Sequence, residues 1–417
     1  MNPDKPVALV LGGTTPHAAL IEILKQRGYF TVLVDYYENP PAKKVVDEHV
    51  RASTLDVEVV LEIARGKNAS LVISACVDQA NVTACYVAEK LGLPVPYSYE
   101  TAVRMSNKLL MKKGMLEHGI PTTKFRMLGS DADVRCVDLA FPVVVKPADS
   151  NGSKGVKRAD SLDELMEFSI YARSVSRTGE IIVEEYFDGR EVNVYCFVKD
   201  RRAQVIMTCQ KYNKISGRGC AIQCYSTIIP ATLSKPVHRR IGEIAQKIAT
   251  GFGLVNTSLL IQVLVRGDVI NVIEFAPRVG GGLSFRTIVL KTGIDLVDAT
   301  VDTYLGDPEP VVVRDTGRLL ATNHLYALPC RFGEISGIEA LISDGIIEGY
   351  YPNKTRGMEI TSEMASRDRV GSFIVCGSSD QELLSRIKQA MDRLDVFDVD
   401  GRPVLRRDIC LQSMDGG

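Results

Sequence analysis

The stretch VIEFAPRVGGG, residues 272–282, places charged side chains within and directly after a run of apolar residues. Glu274 interrupts the apolar run, Arg278 follows four residues later, and three glycines come at 280–282. A buried carboxylate without a partner is unfavourable, so Glu274 is expected to pair with a cation, bind a metal ion or take up a proton. Glycines allow a ligand to approach the backbone closely. The segment therefore predicts a buried strand that ends at a ligand site.

The preceding apolar run, LLIQVLV at 259–265, carries one polar residue, Gln262, and the two runs predict a β-hairpin. Because side chains alternate between the faces of a strand, Gln262 and Glu274 share a face only if the loop has an odd number of residues. A three-residue loop with Gly267 in a left-handed bulge meets this requirement. The pair would then offer oxygen ligands suited to Mg²⁺. Alternatively, the two side chains hydrogen-bond each other or a nearby arginine, and the hairpin alone leaves both interpretations open.

The bulk composition is that of a globular protein with several domains. The chain has 417 residues, enough for two to four domains. Its 50 basic and 51 acidic residues give a net charge of −1, which provides no reason to expect nucleic acid or an anionic membrane as a partner.

Three further patterns favour a cytoplasmic location. The ten cysteines are scattered without a CxxC pair, which indicates free thiols rather than a zinc or iron–sulfur site. The N-terminal sequence MNPDKPVALVLGG predicts a first strand rather than a signal peptide. No stretch approaches the roughly 18 apolar residues that a membrane span requires.

Strand and helix patterns alternate over residues 1–100, which predicts a doubly wound, Rossmann-like parallel sheet. Its first loop, GGTTPH at 12–17, differs from GxGxxG, which favours a structural role over dinucleotide binding. Residues 101–310 mix helices with hairpins and predict an α+β region. Residues 311–417 contain further strands and an amphipathic helix and predict a C-terminal α+β domain.

Two lysines are candidates for binding phosphate. Lys146 ends an aliphatic strand and precedes a loop rich in glycine and serine, whose backbone amides could approach an anion, although such loops are more often mobile hairpin tips. Lys108 lies in the first turn of a helix predicted at 106–120 with Ser106 as its N-cap. A cation there is unfavourable unless an anion binds as well, and the alternative is a simple surface lysine.

The segment VEEYFDGREVNVY, residues 183–195, holds three glutamates around a turn: Glu184, Glu185 and Glu191. Carboxylates in this position could accept hydrogen bonds from an adenine amino group or from ribose hydroxyls. A solvated turn between two strands is the alternative, and it would be preferred if this segment stood alone.

Taken in their order along the chain, these motifs resemble the ATP-grasp superfamily over roughly residues 100–310. The residues before them resemble the domain that precedes the grasp, here 1–100, and 311–417 resembles the C-terminal domain of the carboxylate–amine ligase branch. The resemblance implies a central ATP-grasp fold of two α+β subdomains, a small one at 101–190 and a large one at 191–310.

The resemblance also implies a role for each motif residue. Lys108 and Lys146 would hold the phosphates of ATP, and the loop 148–156, with Ser153 and Gly155, would close over them. The adenine would face Glu184 and the backbone around Glu185 and Phe187, while the ribose would face Glu191. Gln262 and Glu274 would carry Mg²⁺, or Mn²⁺ in its place, and Arg278 would steady the transferred phosphoryl group.

One departure from the family concerns the metal site. Many members have E-x-N-P-R where this chain has E-F-A-P-R, so Ala276 replaces one metal ligand. L-amino-acid ligases, which join two amino acids, resemble this chain in that respect. The glycines at 280–282 differ from the continuation in biotin carboxylases. The chain also resembles one half of the large subunit of carbamoyl-phosphate synthase.

The implied activity is ATP-dependent formation of an amide or peptide bond from a small carboxylic acid and an amine, through an acyl-phosphate, with release of ADP and phosphate. Ala276 leaves open a non-catalytic ATP-binding regulatory module, and the N-terminal sheet leaves open a dinucleotide-dependent enzyme. Homodimers are common among such relatives. Candidates for substrate contacts are Gly281, Gly282, Ser284 and Arg286; the basic segment KYNKISGRG, 211–219, lines the acid pocket or forms a surface loop.

Overall fold

A four-stranded parallel sheet occupies the N-terminal part of the computed structural model, which describes residues 5–150, 154–215, 222–361 and 366–411. The elements are β1 Val7–Leu11, α1 Thr15–Gln26, β2 Phe30–Val34, β3 Glu48–Val50, α2 Val57–Gly66, β4 Ala69–Ile73 and α3 Asp78–Leu91. The strand order is β3-β2-β1-β4, and every pairing is parallel. β1, β2 and β4 are mostly apolar and mostly buried, as expected when helices cover both faces of a parallel sheet. The predicted fold of this part is confirmed.

Two helices lead from the N-terminal sheet to a small antiparallel sheet. The elements are α4 Tyr99–Ser106, α5 Lys108–Glu117, β5 Phe125–Leu128, β6 Val143–Pro147, β7 Lys157–Ala159, α6 Leu162–Val175 and β8 Ile181–Glu185. The strand order is β5-β8-β6-β7, and α6 packs on this sheet. The prediction that Ser106 caps a helix was wrong. Ser106 ends α4, and the side chain of Asn107 accepts hydrogen bonds from the first amides of α5.

The large sheet has eight strands in the order β13-β12-β9-β10-β11-β14-β18-β16. Its elements up to residue 310 are β9 Arg190–Lys199, β10 Arg202–Ile215, β11 Ile222–Ile229, α7 Lys235–Gly251, β12 Thr257–Arg266, β13 Val269–Ala276, α8 Ser284–Thr292 and α9 Leu296–Leu305. One face packs against α7 and α5, and the other packs against α8 and α9. Arg27 at the end of α1 contacts Asp298 and Asp302 on α9, with its Nη1 2.6 Å from Asp302, and so fixes the N-terminal sheet to this layer.

The last hundred residues complete the large sheet and add a three-stranded sheet. Their elements are β14 Leu319–Leu325, β15 Cys330–Ser336, α10 Ile338–Ser343, β16 Gly349–Pro352, β17 Glu359–Ile360, β18 Gly371–Gly377, α11 Asp380–Arg393 and β19 Asp395–Asp398. The amphipathic helix predicted here is α11. Because β14, β16 and β18 pair within the sheet of β9–β13, the boundary expected at residue 310 lies between strands of one continuous sheet.

The cysteines and the helices bear on the compartment in which the protein could lie. The cysteines among the described residues form no disulfide with one another. None of the helices in the described part of the chain is long and apolar enough to cross a lipid bilayer.

The hairpin β12–β13 brings Gln262 and Glu274 directly opposite each other, but not through the loop expected from the sequence. Arg266 pairs with Val269, so the loop has two residues rather than three, and an even loop would place the two side chains on opposite faces. A β-bulge between Gln262 and Val263 on one strand and Glu274 and Val272 on the other shifts the register by one residue. The prediction of a three-residue loop was wrong, and the bulge produces the pairing instead.

Candidate active site

Four residues singled out in the sequence line one cleft at the junction of the N-terminal domain, helices α4 and α5, and the hairpin β12–β13. They are Lys108, Gln262, Glu274 and Arg278. The cleft is also lined by Asp78, Met105, Ser106, Met111, Leu260, Phe275 and Ala276. Residues far apart in the chain thus place two cations, two acids and an amide around one space.

Gln262 and Glu274 present free oxygen atoms to this cleft. Neither side chain makes a hydrogen bond or ion pair with any other residue in the described part of the chain. Both are only partly buried, so solvent or a ligand reaches them. On the other side of Gln262, the paired residue on β9 is Asn193. A carboxylate and an amide carbonyl are hard oxygen donors, so this pair fits a Mg²⁺ ion.

Arg278 lies in the same cleft, and three of its guanidinium nitrogens donate hydrogen bonds to two residues. Its Nε and Nη2 donate to the two carboxylate oxygens of Asp78 at 2.5 and 2.8 Å, and its Nη1 donates to the carbonyl of Val279 at 2.9 Å. Burial lowers the pKa of Arg278, but the charge and hydrogen bonds of Asp78 outweigh it, so the net effect raises that pKa. The guanidinium is therefore a fixed, permanent cation at the cleft wall.

Asp78 is the first residue of α3, which follows the strand next to β1. β4 itself ends at Ile73, and residues 74–77 lie between it and α3. In open parallel sheets, ligand sites lie beyond the carboxyl ends of the strands, at the point where the strand order reverses. Asp78 follows β4 at that point, between β1 and β4, and this position was the signal that could have identified it.

A neutral histidine lies close behind the ion pair of Arg278 and Asp78. His17, at the start of α1, is fully buried and bonds Thr14 Oγ1 at 2.7 Å and Ser74 Oγ at 3.2 Å. Burial, followed by the positive charge of Arg278, lowers the pKa of His17 to about 3. His17 is therefore uncharged at neutral pH, and it adds no positive charge next to Arg278.

Lys146 and Glu184 form a buried ion pair between the neighbouring strands β6 and β8 of the small sheet. Lys146 Nζ lies 2.6 Å from Glu184 Oε1, and Lys112 Nζ lies 3.2 Å from the same oxygen. Burial raises the pKa of Glu184, but the charges of Lys112 and Lys146 outweigh it and lower the pKa to about 2. Sequence reasoning missed Lys112, because a lysine in the middle of a helix gives no sign that it is buried.

Lys108 contacts the loop that follows β6. Lys108 is 9% exposed, and its ammonium group donates to the carbonyl of Ser150. Gly155 has a φ of +77°, and a Cβ there would lie 2.7 Å from the ring of Pro147, so the turn requires glycine. Ser153, predicted to contact phosphate, lies outside the described residues, as do the neighbouring residues 151 and 152.

The other residues predicted to contact the nucleoside lie at and after the end of β8. Glu185 is 3.5 Å from Lys124, and the ring of Phe187 packs 4.6 Å from the guanidinium of Arg266.

Glu191 lies on β9, and its carboxylate already has partners on the neighbouring strand. It contacts the ammonium group of Lys211 and accepts a hydrogen bond from Asn213 Nδ2 at 2.6 Å. Lys211 and Asn213 belong to the basic segment 211–219, and residues 216–219 of that segment lie outside the described residues.

The glycines at 280–282 turn the chain from β13 into α8, and they differ in their surroundings. A Cβ on Gly280 would lie 2.6 Å from the ring of Tyr195 and 2.7 Å from Ser284 Oγ. Gly281 and Gly282 are exposed, with open space where a Cβ would project. The first glycine is therefore required for packing, whereas the other two leave the backbone exposed.

The two substrate candidates after the glycines have different roles in the described structure. Ser284 is buried, and its hydroxyl donates to the carbonyl of Gly280 at 2.7 Å. Arg286 is exposed and lies close to Tyr351 on β16, where its positive charge opposes the rise that burial causes in the pKa of Tyr351.

Residues 139–286 match the family model described as an ATP-grasp domain. The chain therefore carries an ATP-grasp domain, as the order of the sequence motifs predicted.

Curated relatives extend this similarity beyond the matched domain. The formate-dependent phosphoribosylglycinamide formyltransferase of Erythrobacter litoralis is 26% identical over 290 residues, which cover 66% of this chain and 71% of the relative. The phosphoribosylamine–glycine ligase of Chlorobaculum tepidum is 23% identical over 416 residues, which cover 93% of this chain and 96% of the relative.

Solved structures show the same fold over nearly the whole chain. The L-amino acid ligase of Bacillus licheniformis superposes with a TM-score of 0.79 at 20% identity, covering 95% of this chain and 99% of that one. The biotin carboxylase domain of the 2-oxoglutarate carboxylase of Hydrogenobacter thermophilus, solved with MgADP and bicarbonate, gives 0.74 at 15% identity, covering 96% and 92%. The predicted fold class is confirmed, including the C-terminal α+β region.

Proposed function

We propose that this protein is an ATP-dependent carboxylate–amine ligase that forms an amide or peptide bond and releases ADP and phosphate. The observation that carries the proposal is the pairing of Gln262 with Glu274, whose side-chain oxygens have no partner among the described residues, in one cleft with Lys108 and Arg278. The ATP-grasp domain supports the proposal, and so do similar proteins that are themselves named as ligases.

Lys108 and Lys146 are proposed to hold the phosphates of ATP, together with Ser153 and Gly155 of the loop 148–156. Both ammonium groups are nearly buried, and their partners are the carbonyl of Ser150 and the carboxylate of Glu184. A lysine that gives up a neutral carbonyl for a phosphate oxygen exchanges a weak partner for a charged one. Replacing the carbonyl of Ser150 with an anion therefore makes the electrostatic interaction of Lys108 with its partner more favourable.

The adenine and the ribose are assigned to the strand end and turn that follow β8. Glu184, with the backbone around Glu185 and Phe187, is proposed to face the adenine. Glu191 is proposed to face the ribose, where its carboxylate accepts hydrogen bonds from hydroxyl groups while Lys211 and Asn213 keep it in place.

Gln262 and Glu274 are proposed to hold Mg²⁺, with Mn²⁺ as an alternative ion. When bound, a divalent ion supplies positive charge that neutralises the phosphate oxygens during transfer. Ala276 provides no ligand, so the protein contributes two oxygen donors from this hairpin rather than the three expected of an E-x-N motif. A second ion, if one binds, needs other ligands.

Arg278 is proposed to stabilise the negative charge that develops on the transferred phosphoryl group. A carboxylate is a poor acyl donor, and a phosphoryl group on its oxygen gives an acyl-phosphate that an amine nitrogen attacks, with phosphate as the leaving group. Phosphoryl transfer depends mainly on positioning and on electrostatic stabilisation by preorganised groups. Asp78 supplies that preorganisation, since it holds Arg278 through two hydrogen bonds before any ligand arrives.

The substrates are proposed to be a small carboxylic acid and a small amine, which enter beside Gly281 and Gly282. Ser284 and Arg286 remain proposed substrate contacts. The proposed division of the chain is 1–100, 101–190, 191–310 and 311–417. A cytoplasmic location, a homodimer, and the absence of nucleic-acid and membrane partners belong to the same proposal.

A non-catalytic ATP-binding module is the second candidate, and Ala276 is the observation that favours it. The two candidates differ in phosphate release. We expect release above the ATP-only background for at least one pair in a screen that combines amino acids and small acids with amines. Arg278→Ala should abolish that release. ADP binding with no release across the whole panel would favour the regulatory module.

A further inference from the structure

Lys112 is the most deeply buried lysine in the described part of the chain, with 1% of its surface exposed. It lies in the middle of α5, one helical turn after Lys108, and no role assigned above uses it. Burial has the largest effect on its pKa and lowers it to about 8, although the charge of Glu184 opposes that effect. A buried ammonium group needs specific partners to compensate for its lost hydration.

The first partner of Lys112 is Glu184, which it shares with Lys146. Both ammonium groups approach the same oxygen of Glu184, at 3.2 and 2.6 Å, and the other carboxylate oxygen accepts a hydrogen bond from Thr123 at 3.0 Å. The carboxylate is therefore fixed from three directions. Since Lys146 is held by that carboxylate, any group that positions Glu184 also positions Lys146.

The second partner of Lys112 connects it to the metal-site strand. Its ammonium group donates to Thr122 Oγ1 at 2.5 Å, and that hydroxyl donates to the carbonyl of Val272 at 2.8 Å. The amide of Val272 in turn donates to the carbonyl of Pro121 at 2.8 Å. We call residues 121–123 the strap, because they bind the edge strand β13 through both backbone groups of Val272.

The strap contacts β13 at Val272, next to the site where the register of the strand changes. Val272 borders the β-bulge that places Glu274 opposite Gln262. β13 is the edge strand of the large sheet, so its outer backbone groups have no neighbouring strand to fix them. Lys112 and the strap supply that missing support at the residue where the register changes.

We propose that Lys112 is a positioning residue that couples the nucleotide end of the site, through Glu184 and Lys146, to the metal end, through Thr122 and the bulge beside Glu274. The proposal rests on the function proposed above. Lys112 itself touches neither the nucleotide nor the metal ion. Its removal leaves Glu184 with two of its three partners and takes away the contact that holds Thr122 against the bulged strand.

The test is calorimetric titration of the full chain with ADP, with and without Mg²⁺. Lys112→Met keeps the length and the apolar stem but removes the charge, and Lys113→Met is a matched control because Lys113 is exposed on the same helix. We expect Lys112→Met to weaken ADP binding by about tenfold or more, as removing a buried supporting partner of a ligand site typically does. Lys112→Arg should restore most of that loss, and Lys113→Met should bind like the wild type.

A second variant tests the contact of Lys112 with Thr122 separately from its contact with Glu184. It also provides a test if Lys112→Met fails to fold. Thr122→Val removes the hydroxyl that joins Lys112 to Val272 but leaves Glu184 with both lysines. It should leave ADP binding without Mg²⁺ unchanged and raise the Mg²⁺ concentration needed for tight ADP binding by about tenfold.

The proposal is overturned if folded Lys112→Met binds ADP like the wild type, if Thr122→Val has the Mg²⁺ dependence of the wild type, or if the wild type binds no ADP. ADP binding that responds to these variants, combined with no phosphate release from any acid and amine pair, would instead refute the ligase activity and leave the positioning role intact.

Discussion

Arg278 and Asp78 are separated by 200 residues and form a bidentate ion pair that joins the N-terminal domain to the end of β13. The exposed fractions of the two side chains are 13% and 23%, so the pair is largely shielded from solvent. The N-terminal domain thereby contributes directly to the candidate active site. It does so through an acidic side chain after a parallel strand rather than through a glycine-rich loop.

Replacing Asp78 with asparagine should therefore reduce phosphate release. The amide retains the shape but not the charge, so Arg278 loses its fixed orientation at the cleft wall. We expect a loss of turnover of about 10- to 100-fold, which is typical for a group that orients a catalytic partner. The measurement is phosphate release with the best substrate pair from the screen.

Asp380→Asn is the matched control, because Asp380 also begins a helix but is exposed and distant from the cleft. If Asp78→Asn retained the turnover of this control, Arg278 would not depend on Asp78 for its position.

Replacing Glu274 with glutamine should weaken the response to Mg²⁺ more than the binding of the nucleotide alone. The substitution removes the negative charge that a divalent ion requires but keeps the hydrogen-bonding shape. We expect the Mg²⁺ concentration at half-maximal phosphate release to rise about tenfold or more. Glu359→Gln, at an exposed position on β17, controls for the loss of one surface carboxylate. An unchanged Mg²⁺ requirement would exclude Glu274 as a ligand.

The pairing of Gln262 with Glu274 could be predicted from the sequence in part: the hairpin was predicted, but the bulge that aligns the two residues was not. Apolar runs predicted the hairpin, and the chemistry of the two polar residues predicted that they meet. The bulge that produces the pairing was missed, because it lies where residues 121 and 122 hydrogen-bond Val272, a tertiary contact that no local pattern reveals. Register in a half-buried strand depends on tertiary contacts.

Asp78 and Lys112 could not be assigned for a different reason. Each lies on a helix whose local sequence is ordinary, and each acquires its role from a partner more than 70 residues away. The burial of a lysine in the middle of a helix depends on which helix face the rest of the chain covers. A single sequence reveals residues that differ in type from their sequence neighbours. Asp78 and Lys112 do not stand out from their neighbours in this way.

Acid should destabilise the protein through Glu184. Its pKa is lowered to about 2 in the folded state, against an ordinary value of 4.5, because the charges of Lys112 and Lys146 outweigh the effect of burial. A lowered folded-state pKa stabilises the fold above the unfolded pKa, and the contribution is lost as the pH falls from 4.5 towards 2. The size of this contribution is on the order of 3 kcal/mol.

The measurement is the free energy of unfolding by urea at pH values between 2.5 and 7 for the wild type and Glu184→Gln. The variant should be less stable at neutral pH, because it leaves two buried ammonium groups without a carboxylate. Its stability should also fall less steeply below pH 4.5. Parallel pH curves for the two proteins would contradict the assignment of Glu184 as the acid-sensitive group.

Replacement by alanine should affect the adjacent glycines Gly280 and Gly281 differently, because only Gly280 is closely packed against other side chains. Alanine at 280 would place its Cβ 2.6 Å from the ring of Tyr195, which is 5% exposed and cannot move aside without disturbing the core. Overpacking of this kind lowers the free energy of unfolding by about 1 to 3 kcal/mol. Alanine at 281 meets open space, so the stability should change by less than about 0.5 kcal/mol.

Thermal and urea unfolding of the two single variants provide the comparison. If Gly281→Ala lowered phosphate release while its stability stayed that of the wild type, the backbone at 281 would be implicated in binding a ligand. Equal losses of stability in both variants would contradict the packing argument, since only Gly280 lacks room for a side chain.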